Sequence, residues 1–299
     1  MSRETKVKAL LYTDGSETAS AALRFLHSVL PPPTLEAHLL AVAERQADVA
    51  EAEQALQDGQ HMLAESGVPA TLHSRLGPTP RELIREIDDG DYGLLVLGSP
   101  DKPTNALPGI PEPVNSLVAS MPISCLVVRG QRPRLSKVLA CTGGYRYGEE
   151  VIRTAARLAR ASGAEVTILY VGEVLPLMYT GLQEMEEPLP ALLKTHTREA
   201  YYLKRGARIL IENQVAGEIK FTRGIVAQEI FRVAREGDYD LIAVGASRAS
   251  RSPFRQILLG DITRTVLEHA RRPVLVVRSR PERRPQRILN RIRFMRRHP

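Results

Sequence analysis

Cysteine is scarce in this 299-residue chain: there are two, Cys125 and Cys141, and no C-x-x-C or zinc-type spacing. Both lie in apolar, strand-like runs, which supports buried thiols in a reducing compartment. No apolar run approaches the roughly 20 residues of a membrane span. The N-terminal MSRETKVKALLY leads straight into a strand, without the apolar segment of a signal peptide. A cytoplasmic protein is expected, with any membrane association peripheral. Ser16 has no Gly-x-Ser-x-Gly elbow around it. The histidines at 27, 38, 61, 73, 196, 269 and 298 are spread without ligand spacing, so single surface or satisfied core histidines are expected. No general acid–base pair stands out. These absences set aside a metal site and a catalyst.

Positive charge is present but local. Arg278 to Pro299 holds nine arginines and one glutamate, a net of +8 in a chain whose total is +7. The rest is nearly neutral, so the high isoelectric point does not make the core a nucleic-acid binder. In PERRPQRILNRIRFMRRHP, helical spacing puts Ile288, Leu289, Ile292 and Met295 on one side. Arg287, Arg291, Arg293, Arg296 and Arg297 surround them. Such a segment, Arg283–Arg297, suits an anionic membrane surface or RNA. A solvated basic end is the plainer reading.

The chain also repeats itself. LGPTPRELIREIDDGDYGLLVLGS (Leu76–Ser99) returns as RGIVAQEIFRVAREGDYDLIAVGAS (Arg223–Ser247). Gly77, Glu82, Asp91, Tyr92 and Gly98 meet Gly224, Glu229, Asp238, Tyr239 and Gly245 at one offset. KVKALLYTDG returns as LSKVLACTGG, LLAV as ILYV, and CLVVRG as VLVVRS. A repeat of this length is a whole domain, not a solenoid unit. The division expected is a first domain over 1–130, a linker at Gln131–Arg134, a second domain over 135–280 and a basic tail over 281–299.

Each copy reads as strands alternating with helices. In the first, strands are expected at Val7–Thr13, Leu35–Val42, Thr71–Arg75, Gly93–Gly98 and Ser124–Val128. The second repeats the order and has a longer acidic, proline-containing segment around GEVLPLMYTGLQEMEEPLP. A single helix is expected near Leu192–Asn213. Alternation of this kind implies an α/β fold: two doubly wound, Rossmann-like parallel sheets in tandem. Continuous apolar runs such as LLVLG and LIAVG fit strands buried on both faces.

The ordered motifs, found twice, resemble the universal stress protein family over roughly residues 5–130 and 135–279. They are Thr-Asp-Gly-Ser after the first strand, Arg-x-Gly-x-x-x-x-Glu-Ile before the third helix, and Asp-Tyr-Asp-Leu-Ile-x-Val-Gly-x-Ser. Leu-Leu-Gly and Arg-Pro-Val-Leu-Val-Val-Arg follow. The resemblance implies an adenine-nucleotide α-hydrolase-like fold and pairing of the fifth strands, here Cys125–Val128 with Val274–Val277. That pairing makes an intramolecular pseudo-dimer; a higher homo-oligomer is left open. In family members that bind ATP, a Gly-x-x-Gly, nine residues, Gly-Ser/Thr loop follows the fourth strand. An Asp ends the first strand, and main chain at the end of the second reads adenine.

Each copy departs from that pattern. The first keeps Asp14, but prolines and acidic residues fill DKPTNALPGIPEPVNS, and proline removes the N–H groups an anion cradle uses. The second keeps Gly245 and Gly260, has Arg248 where a second glycine is expected, and places Asp261 where Ser/Thr belongs. Thr142 stands where the Asp is expected, and Val171 ends the second strand. Ser247, Arg248 and their neighbours form a basic, hydroxyl-rich loop suited to an anion. Asp261 is expected to cap the helix Ile262–His269. Three readings follow. One is a regulatory or ligand-sensing stress protein with nucleotide binding weakened or lost. The second is an ATP sensor, slow in hydrolysis, with its site in the second copy alone. The third is an adaptor docking through its tail.

Overall fold

A computed structural model of the chain describes residues 6–100, 114–130, 132, 134–143, 146–172, 189–246 and 260–278. The first half runs β1 (Val7–Tyr12), α1 (Glu17–Val29), β2 (Leu35–Ala43), α2 (Val49–Glu65), β3 (Ala70–Leu76), α3 (Thr79–Gly90), β4 (Leu94–Ser99), α4 (Val114–Ser120) and β5 (Ser124–Arg129). The second runs β6 (Lys137–Thr142), α5 (Arg146–Ser162), β7 (Glu165–Gly172), α6 (Leu189–Lys194), α7 (Arg198–Glu212), β8 (Gly217–Arg223), α8 (Val226–Glu236), β9 (Leu241–Gly245), α9 (Asp261–His269) and β10 (Val274–Val277).

All ten strands join one sheet, in the order β3-β2-β1-β4-β5-β10-β9-β6-β7-β8. Pairing is parallel within each half and antiparallel at the centre, where Val127, Leu126 and Cys125 of β5 face Val274, Leu275 and Val276 of β10. That one antiparallel seam relates the halves by a pseudo-two-fold axis. It also covers the edge each half would otherwise expose, leaving β3 and β8 outermost. Successive side chains alternate across the sheet. Leu126 and Val128 enter the core under α1, α2, α5 and α7, while Cys125 and Val127 enter the core under α3, α4, α8 and α9. Each core is continuous through both halves.

Local chemistry sets the boundaries. Ser16 caps α1 by accepting from the Ala19 N–H at 3.2 Å, and Pro31–Pro33 stop the helix. The single helix expected near Leu192–Asn213 is two. The Thr195 hydroxyl donates to the Leu192 carbonyl at 2.7 Å, and Thr197 caps α7 by accepting from the Ala200 N–H at 3.3 Å. Hydroxyls at this spacing compete with the helical ladder and break it. The repeated Asp-Tyr also has a structural cause. Asp91 and Asp238 follow α3 and α8 in the left-handed region, with φ of 53° and 48°, which Asp tolerates better than most residues. Each turn delivers a buried tyrosine, Tyr92 or Tyr239, under the sheet.

Candidate functional site

In a parallel sheet the carboxyl ends of the strands face the loops that carry ligands. The described candidates of the second half gather at that end. β6 lies between β7 and β9, so Thr142, Val171 and Gly245 end three neighbouring strands. Thr142 packs on Gly148 in the first turns of α5. The Thr263 hydroxyl donates to the Gly245 carbonyl at 2.8 Å, tying the start of α9 to the end of β9. Ser247 and Arg248 lie outside the described residues, as do the rest of their loop, the acidic insertion over 173–188 and the basic tail.

Asp261 does not cap α9. Gly260 is the N-cap, with extended backbone (φ −64°, ψ 155°) and no side-chain cap bond, and Asp261 is the first helical residue. Its carboxylate sits where the helix dipole favours negative charge. The same position opposes a phosphate.

The first half is built differently at the matching end. Asp14 is present, but its Oδ1 accepts the Ser16 N–H at 3.0 Å. The Thr13 hydroxyl accepts the Gly15 N–H at 3.2 Å. The retained Asp therefore serves its own turn. Burial first, and then the charges of Asp14 and Glu44, push the Tyr12 phenol up. Thr79, at the start of α3, donates to Glu44 at 3.3 Å. Two carboxylates beside Tyr12 make this mouth unfavourable for an anion. At the end of β4, a Cβ on Gly98 would collide with the Thr18 carbonyl and lie 2.6 Å from the Ala19 nitrogen, both backbone of α1. Among the described residues, a Cβ on Gly245 meets only Val151 Cγ2, at 3.3 Å.

Arg129 occupies the neighbouring space in the first half. It is 1% exposed, donates from Nε to Ser99 Oγ at 3.2 Å, and from Nη1 to the Ala270 carbonyl at 2.8 Å. Burial pulls its pKa down to about 10. Its counterpart Arg278 donates to the Val118 and Ala119 carbonyls at 2.7 and 3.1 Å. Each arginine crosses the seam to the carboxyl end of the other half's helix, where a cation is favoured. Sequence reasoning gave Arg129 no role and counted Arg278 with the basic C-terminal run. The available signal was the Arg that follows Val-Val in both copies.

The expectation that histidines stand apart fails at one place. His38 and His73 are hydrogen-bonded ring to ring at 2.9 Å, with Glu36 and Glu86 at the two outer nitrogens. They are distant in sequence and adjacent because β2 pairs with β3. Among the described residues no group of three or more His, Cys, Asp or Glu could hold a metal ion, and no helix is long and apolar enough to cross a membrane.

Two doubly wound units fused through their fifth strands define a tandem α/β protein with one shared sheet. The model of the universal stress protein family matches residues 6–129 and 135–278, and the chain belongs to that family. A universal stress protein of Methanocaldococcus jannaschii is 29% identical over 153 residues, covering 51% of this chain and 88% of that protein. One from Bacillus subtilis is 28% identical over 153 residues, 48% of this chain and 99% of its own. The crystal structure of a universal stress protein from Archaeoglobus fulgidus superposes with a TM-score of 0.68 at 16% identity, covering 94% of this chain and 100% of that one. A putative universal stress protein from Pseudomonas aeruginosa gives 0.61 at 18% identity, with 93% and 95% covered. At these identities the two structures speak for the fold alone.

Proposed function

We propose that this chain is a non-catalytic, ligand-sensing stress protein whose phosphate-recognising end survives in the second half only, with ATP or a related adenine nucleotide as its weakly held ligand. The observation that carries this reading is the contrast between Gly98 and Gly245. A glycine after the fourth strand is useful to a phosphate only if the backbone can be approached. At Gly98 the space is taken by the α1 backbone, and at Gly245 the described residues bring only one methyl group of Val151 near it. The uncapped start of α9 at Gly260 supplies N–H groups on the same side. Asp261 weakens the attraction, and the acidic mouth of the first half removes it there. The domains that carry these two ends are the units over 1–130 and 135–280.

Replacing Gly260 with Asp tests the reading. Aspartate is a better N-cap than glycine by a few tenths of a kcal/mol, so the variant folds, while its charge meets an incoming phosphate. Calorimetry with ATP is expected to give one site per chain in the parent and at least tenfold weaker binding in Gly260→Asp. Two sites per chain, no binding to the parent, or unchanged affinity in the variant would each overturn the proposal.

A further inference from the structure

We propose that Glu36, His38, His73 and Glu86 form a proton-operated clasp on the outer edge of the first half, which holds one shared proton and lets β3 loosen when a second arrives. The four side chains make a chain of three contacts. Glu36 Oε1 lies 3.1 Å from His38 Nε2, His38 Nδ1 lies 2.9 Å from His73 Nε2, and His73 Nδ1 lies 3.2 Å from Glu86 Oε1. Each end contact needs a hydrogen on its imidazole nitrogen, because an ionised carboxylate only accepts. The central contact needs one hydrogen between the two rings. Three hydrogens therefore satisfy all three contacts.

Two neutral imidazoles carry two hydrogens in all. With none added, one of the three contacts lacks its hydrogen, either at a carboxylate or between the rings. With one added, the chain is complete and the positive charge is shared between two carboxylates. With two added, N–H meets N–H across 2.9 Å and the ring-to-ring bond is lost. The ring-to-ring contact thus admits one hydrogen and no more.

The surroundings resist the second proton. Lys8 of β1 lies 3.9 Å from Glu36 and 4.8 Å over the Tyr92 ring. Arg75, next to His73 on β3, reaches Glu86 and Asp89 of α3, each at 2.7 Å. Tyr92 donates to Glu86 at 2.8 Å and stands edge-on to the His38 ring. Burial, chiefly, holds His73 below the ordinary imidazole value, and charge on His38, Arg75 and Lys8 acts the same way against Glu86. A depressed imidazole gives stability that is present above the unfolded value, about 6.5, and lost as pH falls below it.

What opens is an edge strand. β3 pairs on one side only, with β2, and His73 and Arg75 are its ties to α3. The second half has no such device: its matching positions are Glu165, Thr167, Lys220 and Val233. There the Tyr239 hydroxyl donates to Thr167 at 2.8 Å, beside a cleft lined by Lys137, Glu165, Glu218 and Tyr239. Acid therefore acts on one half of a nearly symmetric molecule.

Hydrogen exchange on the intact protein, corrected for intrinsic rates, compares β3 with β8 between pH 7.5 and 5. Below about pH 6.5, where both freed imidazoles take up protons, opening of β3 is expected to grow by up to tenfold per pH unit, the limit for one extra proton, with β8 unchanged. In His73→Gln, which keeps hydrogen-bonding groups and removes one of the two rings, N–H no longer meets N–H and the acid-driven opening of β3 is expected to be lost. A parallel NMR titration of the histidine side chains is expected to show two coupled steps. Equal responses of β3 and β8, or two histidines titrating independently in single ordinary steps, would overturn the clasp. The comparison of β3 with β8 in the unaltered chain stands even if the variant fails to fold.

Discussion

At the carboxyl end of β4 the backbone of the first turn of α1 is seated on Gly98, and at the carboxyl end of β9 the helix α5 meets Gly245 through one side chain, Val151. The two glycines hold the same place in the repeat and do different work. At Gly98 the missing side chain is filled by protein, and the residue is a packing device. At Gly245, among the described residues, an added side chain would meet one methyl group of Val151 and no backbone. A shared glycine motif therefore has two physical meanings within one chain, and the helix after the first strand decides between them. Arg129 completes the difference by filling the space beside Ser99.

Valine at each glycine breaks the comparison most sharply. Gly98→Val forces a side chain into the α1 backbone, which cannot yield as a side chain can. The expected cost is about 3 kcal/mol. Gly245→Val meets one methyl group of Val151 and is expected to cost about 1 kcal/mol or less. Urea denaturation of both variants measures this, and equal costs would remove the distinction on which the asymmetric site depends.

Much of this architecture was legible as pattern. The repeat and the buried strands LLVLG and LIAVG lead to a tandem parallel fold, and the resemblance to the universal stress protein family adds the central seam between the matched CLVV and VLVV runs. Those signals are periodic and local. What escaped depended on contacts between distant segments. His38 and His73 look unrelated until parallel pairing sets β2 beside β3. Asp14 is retained in the sequence, yet one oxygen of its carboxylate accepts the Ser16 N–H in its own turn, and a motif match cannot see that. Asp261 was placed one residue off because Gly260, lacking a capping side chain, still takes the capping conformation. The break between α6 and α7 came from hydroxyl competition at Thr195 and Thr197, which helical periodicity overrides on paper.

A smaller effect separates the halves at α3 and α8. Glu86 faces the sheet in the first half, where the second has Val233. Burial alone would raise the Glu86 carboxyl. The Tyr92 hydroxyl, the Arg75 guanidinium and His73 outweigh burial and hold it below the usual carboxylate value. A depressed carboxyl contributes stability that is present above its unfolded value, about 4.3, and lost as pH falls through the folded one. Glu86→Gln is accordingly expected to cost about 2 kcal/mol at pH 7 by losing charge-assisted hydrogen bonds. The difference from the parent is expected to shrink as pH falls below about 4.3 and to vanish once pH lies below the folded value. Thermal denaturation across pH checks it, and a penalty that persists in acid would assign Glu86 a packing role instead.

The smallest expected effect on stability comes from the basic tail, which has no counterpart in the first half. Residues 281–299 hold seven arginines and one glutamate, so their removal takes the net charge from +7 to +1. The two family matches end at 129 and 278, and both cores are assembled from described residues before that point. Deletion is therefore expected to change the unfolding free energy by less than about 0.5 kcal/mol. Binding is where the tail should matter. Clustered arginines attract anionic vesicles and RNA through charge that salt screens, over about 10 Å at 0.1 M. Sedimentation with anionic vesicles and with RNA, at low and high salt, is expected to show salt-sensitive association for the full chain and none after deletion. Binding in one arm names the partner class. Absence of binding in both leaves the tail as a solvated basic end and confines the functional difference between the halves to Gly245 and the clasp.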